Sequence, residues 1–271
     1  AEHKINYVLI REEIINRLDP YIFSFPKEGW KNNKYSSNGN KIYARFCYND
    51  KIHDKICFID KDNLNCIDGQ ENNDILRMWF YSYLIYHREQ FFGGLPFHAG
   101  LVVKDKKGIL LAANGGTGKS TCCRRIPYPW QALGDDQALI VRNDSGKYIV
   151  HPFPTWSEHL WRQSDKTWNV ERHVDLSAIF FLERSEYDEV LPLERKRSIF
   201  MINEMSMQAS VVGMLNVEKE EERSIRSRLF NNSCELSKVI PTYILRVSLH
   251  GQFWKEIEKV QDKCLNEIIK I

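Results

Sequence analysis

The sequence predicts an α/β fold built on a mixed sheet, with a smaller α+β region ahead of it. Three observations carry that reading. An apolar run, Ile109-Leu110-Leu111-Ala112, enters a glycine-rich loop that opens into a short helical stretch from Thr121. A second apolar run, Leu95 to Val103, precedes it by only Lys104-Asp105-Lys106-Lys107-Gly108. So short a connection makes an antiparallel hairpin and cannot make a parallel crossover. Beyond the loop, strand-like runs alternate with longer helical stretches, as a layered α/β fold requires.

Residues 1–94 form the smaller region, read as a cap or substrate-recognition segment, and 95–271 the main domain. Ile5 to Ile10 is mostly apolar, Asp19-Pro20 marks a break, and the stretch from Lys27 to Asn40 reads as a polar loop. Lys41 to Tyr48 and Lys55 to Ile59 look like strands around the turn Asn49-Asp50. From Asp74 to Phe91, Ile75, Met78, Trp79, Tyr81, Tyr83 and Leu84 recur at mixed helical spacing, which predicts a buried helix.

Centring the hairpin turn near Lys106 sets His98 opposite Ala113 or Asn114, beside the mouth of the glycine-rich loop. The helix after the loop must be short, because Pro127 and Pro129 punctuate it. Gln137 to Arg142 and Lys147 to His151 flank Asn143-Asp144-Ser145-Gly146, a hairpin turn by composition. Pro152 to Glu158 is a stiff polar loop, and 160–173 a surface segment suited to a lid. Asp175 to Leu182 reads as a buried central strand and Val190 to Leu193 as an edge strand. Helical stretches follow over 195–210 and 217–230, the second with Arg223, Arg226 and Arg228, which read as a solvated face or, alternatively, as contacts to phosphate or an acidic substrate. Thr242 to Ser248 is the last strand. Phe253, Trp254, Ile257, Val260, Cys264 and Ile268 line one stripe of a closing helix.

Composition excludes several classes. At 271 residues, 43% hydrophobic, 27% charged and a net charge of +2, the chain can bury a real core and lacks the basic excess of a nucleic-acid binder. No apolar run approaches the roughly 20 residues of a membrane span. The seven cysteines form no C-x-x-C pair and the eight histidines no zinc spacing, so a reduced, cytoplasmic chain without a structural metal is expected.

The chemistry concentrates in Ala113-Asn114-Gly115-Gly116-Thr117-Gly118-Lys119-Ser120. Small residues let successive backbone amides turn inward around an anion, and the helix start adds its positive end. The strict P-loop pattern has glycine where Ala113 stands, a change a small residue tolerates. Asn114, Gly115, Gly116, Thr117, Gly118, Lys119, Ser120 and Thr121 are the expected nucleotide-binding set. Within it Lys119 reaches the terminal phosphates and Ser120 ligates magnesium. Sixteen positions on from Ser120, Asp135-Asp136 ends the Ala132-Leu133-Gly134 strand. An acidic pair there supplies a metal ligand and a base, and adjacent side chains in extended backbone face opposite ways, so the two are expected to do different jobs. His151 and Ser157 are candidates to line an acceptor site, and Glu158 to be a second metal ligand.

The order His98-Ala99-Gly100, hairpin, P-loop and Asp-Asp resembles the kinase domain of HPr kinase/phosphorylase. Gly115 to Arg125, His151-Pro152-Phe153-Pro154-Thr155-Trp156-Ser157 and the tail Leu245 to Trp254 are similar to the SynChlorMet cassette protein ScmC family, which extends the likeness over most of 95–260. The resemblance implies an HPr-kinase-like P-loop core and an ATP- and Mg²⁺-dependent transfer to a Ser or Thr hydroxyl of a peptide or protein. A ribosomally made precursor peptide is the implied substrate. It also implies Asp136, ahead of Asp135, as the general base, His98 as the residue that orients or tunes it, Lys119 on the phosphates, and Ser120 on the metal with Asp135. The family's glutamate-containing signature after the Asp pair is not recognisable here, and Glu158 stands in for it as a metal ligand. A nucleotide-binding scaffold that presents a peptide, and a kinase of a small molecule such as free serine, stay open as other readings. So does assembly into a homo-oligomer.

Overall fold

The computed structural model describes residues 7–10, 30–35, 44–49, 54–60, 85–86, 88–153, 168–170, 172–214 and 219–268. The chain divides into two compact units, 1–91 with 210–226, and 92–209 with 227–271.

The first unit contains a four-stranded sheet. β1 (Tyr7–Ile10), β2 (Trp30–Tyr35), β3 (Ala44–Asn49) and β4 (Asp54–Asp60) lie in the order β1-β4-β3-β2, with β1 parallel to β4 and the rest antiparallel. The expected strand pair around Asn49-Asp50 is β3 and β4. The segment read as a polar loop holds a strand instead, β2. Its sequence Trp-Lys-Asn-Asn-Lys-Tyr has no apolar alternation, and pairing with β3 from Trp30↔Asn49 to Tyr35↔Ala44 supplies what its pattern does not announce. The apolar positions 75–84 lie outside the described residues.

The second unit is built on a nine-stranded sheet. Its strands are β5 (Leu95–Phe97), β6 (Ala99–Lys104), β7 (Lys107–Ala112), β8 (Gln131–Gly134), β9 (Ala138–Arg142), β10 (Tyr148–Pro152), β11 (Val174–Arg184), β12 (Glu189–Pro192) and β13 (Thr242–Val247). The main path runs β5-β9-β10-β11-β7-β6-β8, with β13 on β11 and β12 on β13. The sheet is mixed: β11 runs parallel to both β7 and β13, while β6 and β7 form the antiparallel hairpin. Asp105 and Lys106 turn it, with φ of 51° and 64°.

The run 95–103 is not one strand. It breaks at His98 into β5, which pairs with β9, and β6, which pairs with β7 and β8. The opposing chain breaks too, between β8 and β9, at Asp135-Asp136-Gln137. Phe97 pairs with Ala138 and Leu101 with Gly134, so 98–100 faces 135–137 where both ladders are interrupted. β5, at one end of the path, therefore runs through His98 into β6 near the other end, and β8 runs through 135–137 into β9, so the sheet curls back on itself. Residues outside a ladder can turn their side chains away from the pleat, and here they include a histidine and two aspartates.

One face of the sheet, including Val102, Ile109, Leu111, Phe180 and Leu245, packs with Cys122 and Cys123 of helix α1 (Lys119–Arg125) and Phe253 and Ile257 of a later helix, α4 (Phe253–Ile268). Between them come α2 (Arg195–Met214) and α3 (Lys219–Val239). Thr242 Oγ1 donates to Ser198 Oγ at 2.9 Å, tying β13 to α2. α3 runs well past the expected stop at 230. Polar residues past 230 find partners both within and beyond the helix. Ser233 Oγ donates to the Leu229 carbonyl at 2.7 Å, and the Asn232 amide donates to the Gly94 carbonyl at 3.0 Å. Arg226 pairs with Glu222 one turn back, as a solvated face would.

Candidate phosphate-binding and acid-base site

The glycine-rich loop joins the end of β7 to α1. Gly116 and Gly118 hold φ of +78° and +123°, backbone that a side-chain-bearing residue rarely adopts. A Cβ added at Gly115, Gly116 or Gly118 would meet nothing within 4 Å, so the loop borders open space. Arg184, at the end of β11, donates from Nε to the Thr117 carbonyl at 3.3 Å and from Nη2 to the Gly116 carbonyl. In a planar trans peptide the following N–H points opposite to the carbonyl, so this grip aims the Gly118 amide away from Arg184.

Lys119 is 6% exposed. Its ammonium donates to the Ala113 carbonyl at 2.8 Å and approaches the Asn114 carbonyl at 3.5 Å, inside the curve of the loop. Burial lowers its pKa below the usual lysine value, and the nearby charges of Asp136 and Asp135 oppose that shift. Ser120 points its hydroxyl toward the Asp135 carbonyl at 3.5 Å, the long limit for such a contact. Beneath the loop Cys123 lies against the Gly134 carbonyl at 3.5 Å. Burial pushes its thiol pKa far up and that of Cys122 up to about 11, so both are neutral packing groups.

The two aspartates sit in the bend between β8 and β9, not in extended backbone, and they differ in exposure. Asp135 is buried, 4% exposed, and its charge is felt by Lys119 and Cys123. Asp136 is partly exposed and stands with Oδ1 3.3 Å from His98 Nε2. The hairpin register puts Ala99 opposite Ala112, hence His98 level with Ala113, one of the two positions expected for it. His98 Nδ1 meets Gln208 Oε1 at 2.7 Å, and Gln208 Nε2 donates to Asn114 Oδ1 at 2.6 Å. Loop, helix α2, histidine and aspartate thus form one connected chain of side chains. Gln208 and Arg184 are absent from the sequence reading. Gln208 is 110 residues from His98, and nothing in the local pattern of α2 marks it.

The remaining expected residues divide differently. Glu158 and Ser157 lie outside the described residues, as does most of the proposed lid. His151 sits on β10, its Nδ1 3.4 Å from the Val170 carbonyl and its ring 5.1 Å from that of His173; burial lowers its pKa. Among the described residues no three or more His, Cys, Asp or Glu side chains cluster as a metal cage. Magnesium does not need one: it is commonly held by one or two carboxylates together with phosphate oxygens and water. The residues present fit a bound nucleotide with its magnesium. The loop offers an unobstructed concave backbone and a buried ammonium, and two carboxylates flank it.

A mixed α/β domain, with a glycine-rich strand-loop-helix turn facing a paired acid and a histidine, is the class that fold and site define. No helix among the described residues is long and apolar enough to cross a membrane. The family model described as SynChlorMet cassette protein ScmC matches residues 57–262, about three quarters of the chain. The chain belongs to that family. No curated protein matches it.

Proposed function

We propose that this chain is a P-loop kinase with an HPr-kinase-like core, transferring the γ-phosphate of ATP to a Ser or Thr hydroxyl of a peptide. The observation that carries the reading is the His98–Asp136 pair, 3.3 Å apart, in the same side-chain network as Asn114 of the phosphate loop. A domain that only bound nucleotide would have no need of a proton acceptor there. Membership in a cassette family favours a peptide substrate, with a ribosomally made precursor as the natural acceptor.

In this reading the loop amides and Lys119 hold the β- and γ-phosphates, and Ser120 and Asp135 hold magnesium. Magnesium supplies charge neutralisation on the phosphate oxygens. Asp136 takes the proton of the acceptor hydroxyl as its oxygen forms the new bond to the γ-phosphorus. The bond to the bridging oxygen breaks, ADP leaves with the electron pair, and the proton remains on Asp136. Because phosphoryl transfer depends mainly on positioning and electrostatics, Lys119 should matter more than the base.

The test is incubation with γ-labelled ATP, Mg²⁺ and candidate precursor peptides encoded beside the gene, read by mass spectrometry. A phosphate-sized gain on the peptide is expected from the native chain and its loss from Lys119→Ala, whose circular dichroism should be unchanged. Transfer by Lys119→Ala at the native rate overturns the reading. A gain on free serine alone moves the substrate to the small-molecule class.

A further inference from the structure

We propose that Gln208 is a positioning residue: its amide holds His98 in the Nδ1–H form, turns Nε2 toward Asp136, and ties that pair to Asn114. This inference rests on the kinase reading for its catalytic consequence, though the tautomer itself can be measured without any turnover.

Glu204 stands one helical turn before Gln208 on α2. Gln208 Nε2 lies 3.2 Å from Glu204 Oε1 and 2.6 Å from Asn114 Oδ1. An ionised carboxylate only accepts hydrogen bonds, so the NH₂ end of the Gln208 amide must face it. The carbonyl end then faces His98, and at 2.7 Å it needs a donor. The only donor that imidazole can present there is Nδ1–H. The same α2 turn holds the histidine backbone, because His98 N donates to the Met205 carbonyl at 3.2 Å.

With Nδ1 carrying hydrogen, the neutral ring would have a bare lone pair at Nε2. That nitrogen is 3.3 Å from Asp136 Oδ1, and two lone pairs facing each other repel. That contact closes as a hydrogen bond only with a second proton at Nε2, which leaves the Asp136 carboxylate the acceptor that the proposed reaction requires and fixes its orientation. Were the amide absent, the ring could place its one hydrogen on Nε2 and leave Nδ1 bare, or rotate. The second function of the amide is to make this conditional on the loop: the NH₂ end that is fixed by Glu204 also bonds Asn114, which sits at the start of the phosphate cradle. Displacement of Asn114 is thus felt at the acid-base pair through two hydrogen bonds.

The experiment uses the full chain labelled with ¹⁵N-histidine, His98 being assigned by its loss in His98→Gln. Long-range ¹H–¹⁵N spectra report which ring nitrogens are protonated. In the native chain Nδ1 should be protonated. Gln208→Leu should release that proton preference, while Gln208→Glu, which still accepts from Nδ1, should keep it. A structural role alone would not separate these two variants. A neutral Nε2–H tautomer in the native chain, or the Nδ1–H form surviving in Gln208→Leu, overturns the proposal.

Turnover supplies the second arm. Phosphate transfer by Gln208→Leu should fall about tenfold, less than the roughly hundredfold or more that a general base itself contributes, while affinity for a fluorescent ATP analogue changes far less. An unchanged kcat beside an altered tautomer overturns the catalytic part. Absence of transfer by the native chain defeats the kinase reading, and leaves the tautomer result to decide what Gln208 does to His98.

Discussion

A Cβ placed on Gly100 would stand 2.4 Å from the Cys123 thiol. Helix α1 therefore lies directly on β6, with no space between backbone and thiol, and this contact sets the height of the glycine-rich loop above the sheet. Gly100→Ala should destabilise the fold by about 1–3 kcal/mol, the usual cost of forcing an extra methyl into a packed site. The next neighbours of that methyl are at 3.5 and 3.6 Å, ordinary contact distances. Gly100→Ala/Cys123→Ala should accordingly be more stable than Gly100→Ala alone, in denaturant titration. Strict additivity of the two single changes would mean that the thiol is not what the methyl meets.

Asp136 should support the charge of Lys119 as well as face His98. Burial is the larger influence on Lys119 and lowers its pKa; Asp136 is the leading opposing charge. Asp136→Asn should therefore lower the Lys119 pKa further, read by NMR of the lysine side chain or by faster acylation at mildly alkaline pH. The linkage has a definite sign. A lysine whose folded pKa lies below its ordinary 10.5 costs stability while charged, and the cost fades as pH rises through the interval up to that value. An upward shift in Asp136→Asn would show that the carboxylate is not the lysine's support.

What could be read in the sequence was what is local or fixed by a short register. The glycine-rich loop between β7 and α1 is contiguous, so its strand-loop-helix setting could be read from its own residues. The turn at 143–146 makes its own chemistry, with Asn143 Oδ1 accepting from Lys147 N at 2.9 Å and Ser145 Oγ at 2.7 Å. His98 could be carried to the loop because a five-residue connection leaves little freedom in pairing. The break after Gly134 was legible in Asp135-Asp136, but its counterpart at His98 was not, because the run 95–103 continues as an apolar strand on both sides of it. Gln208 and Arg184 reach the site from elements far away in the chain, and only tertiary packing brings them there. The helix expected to stop at 230 runs on to Val239, because the Leu229 and Gly94 carbonyls that take the hydrogen bonds of Ser233 and Asn232 are not signalled by pattern.

Arg125 should lock the tail to the loop helix. Its guanidinium donates to the Ser248 carbonyl at 2.9 Å and the Gly251 carbonyl at 2.5 Å, and lies 5.7 Å from the Phe253 ring centroid. Asp188 completes the turn by accepting from Ser248 N at 2.6 Å. Arg125→Met should lose about 1–3 kcal/mol of stability, in the range of hydrogen bonds from charged donors, and raise amide exchange over 248–253. Arg125→Lys should recover little, since a single ammonium cannot fork to both carbonyls in the plane that Arg125 uses. Full rescue by lysine would reduce the contact to its charge.

Glu258 should make the fold acid-sensitive through its two partners. Its Oε1 accepts from Lys104 Nζ at 2.7 Å and from Trp130 Nε1 at 2.9 Å, binding α4 to the edge of the hairpin and to the residue before β8. Burial alone would raise its pKa, but these two hydrogen bonds and the lysine charge prevail, and the carboxyl titrates below the usual value of 4.5. A carboxylate with a lowered folded pKa adds stability above its unfolded pKa and loses it as pH falls through the folded one. Glu258→Gln should therefore be less stable than the native chain near neutrality, and the gap should close below pH 4.5. Trp130 gives a local readout, because its indole N–H should become easier to exchange in the variant at neutral pH. A gap that stays constant from neutral pH to well below 4.5 would show that the glutamate acts by packing, with no contribution from its charge.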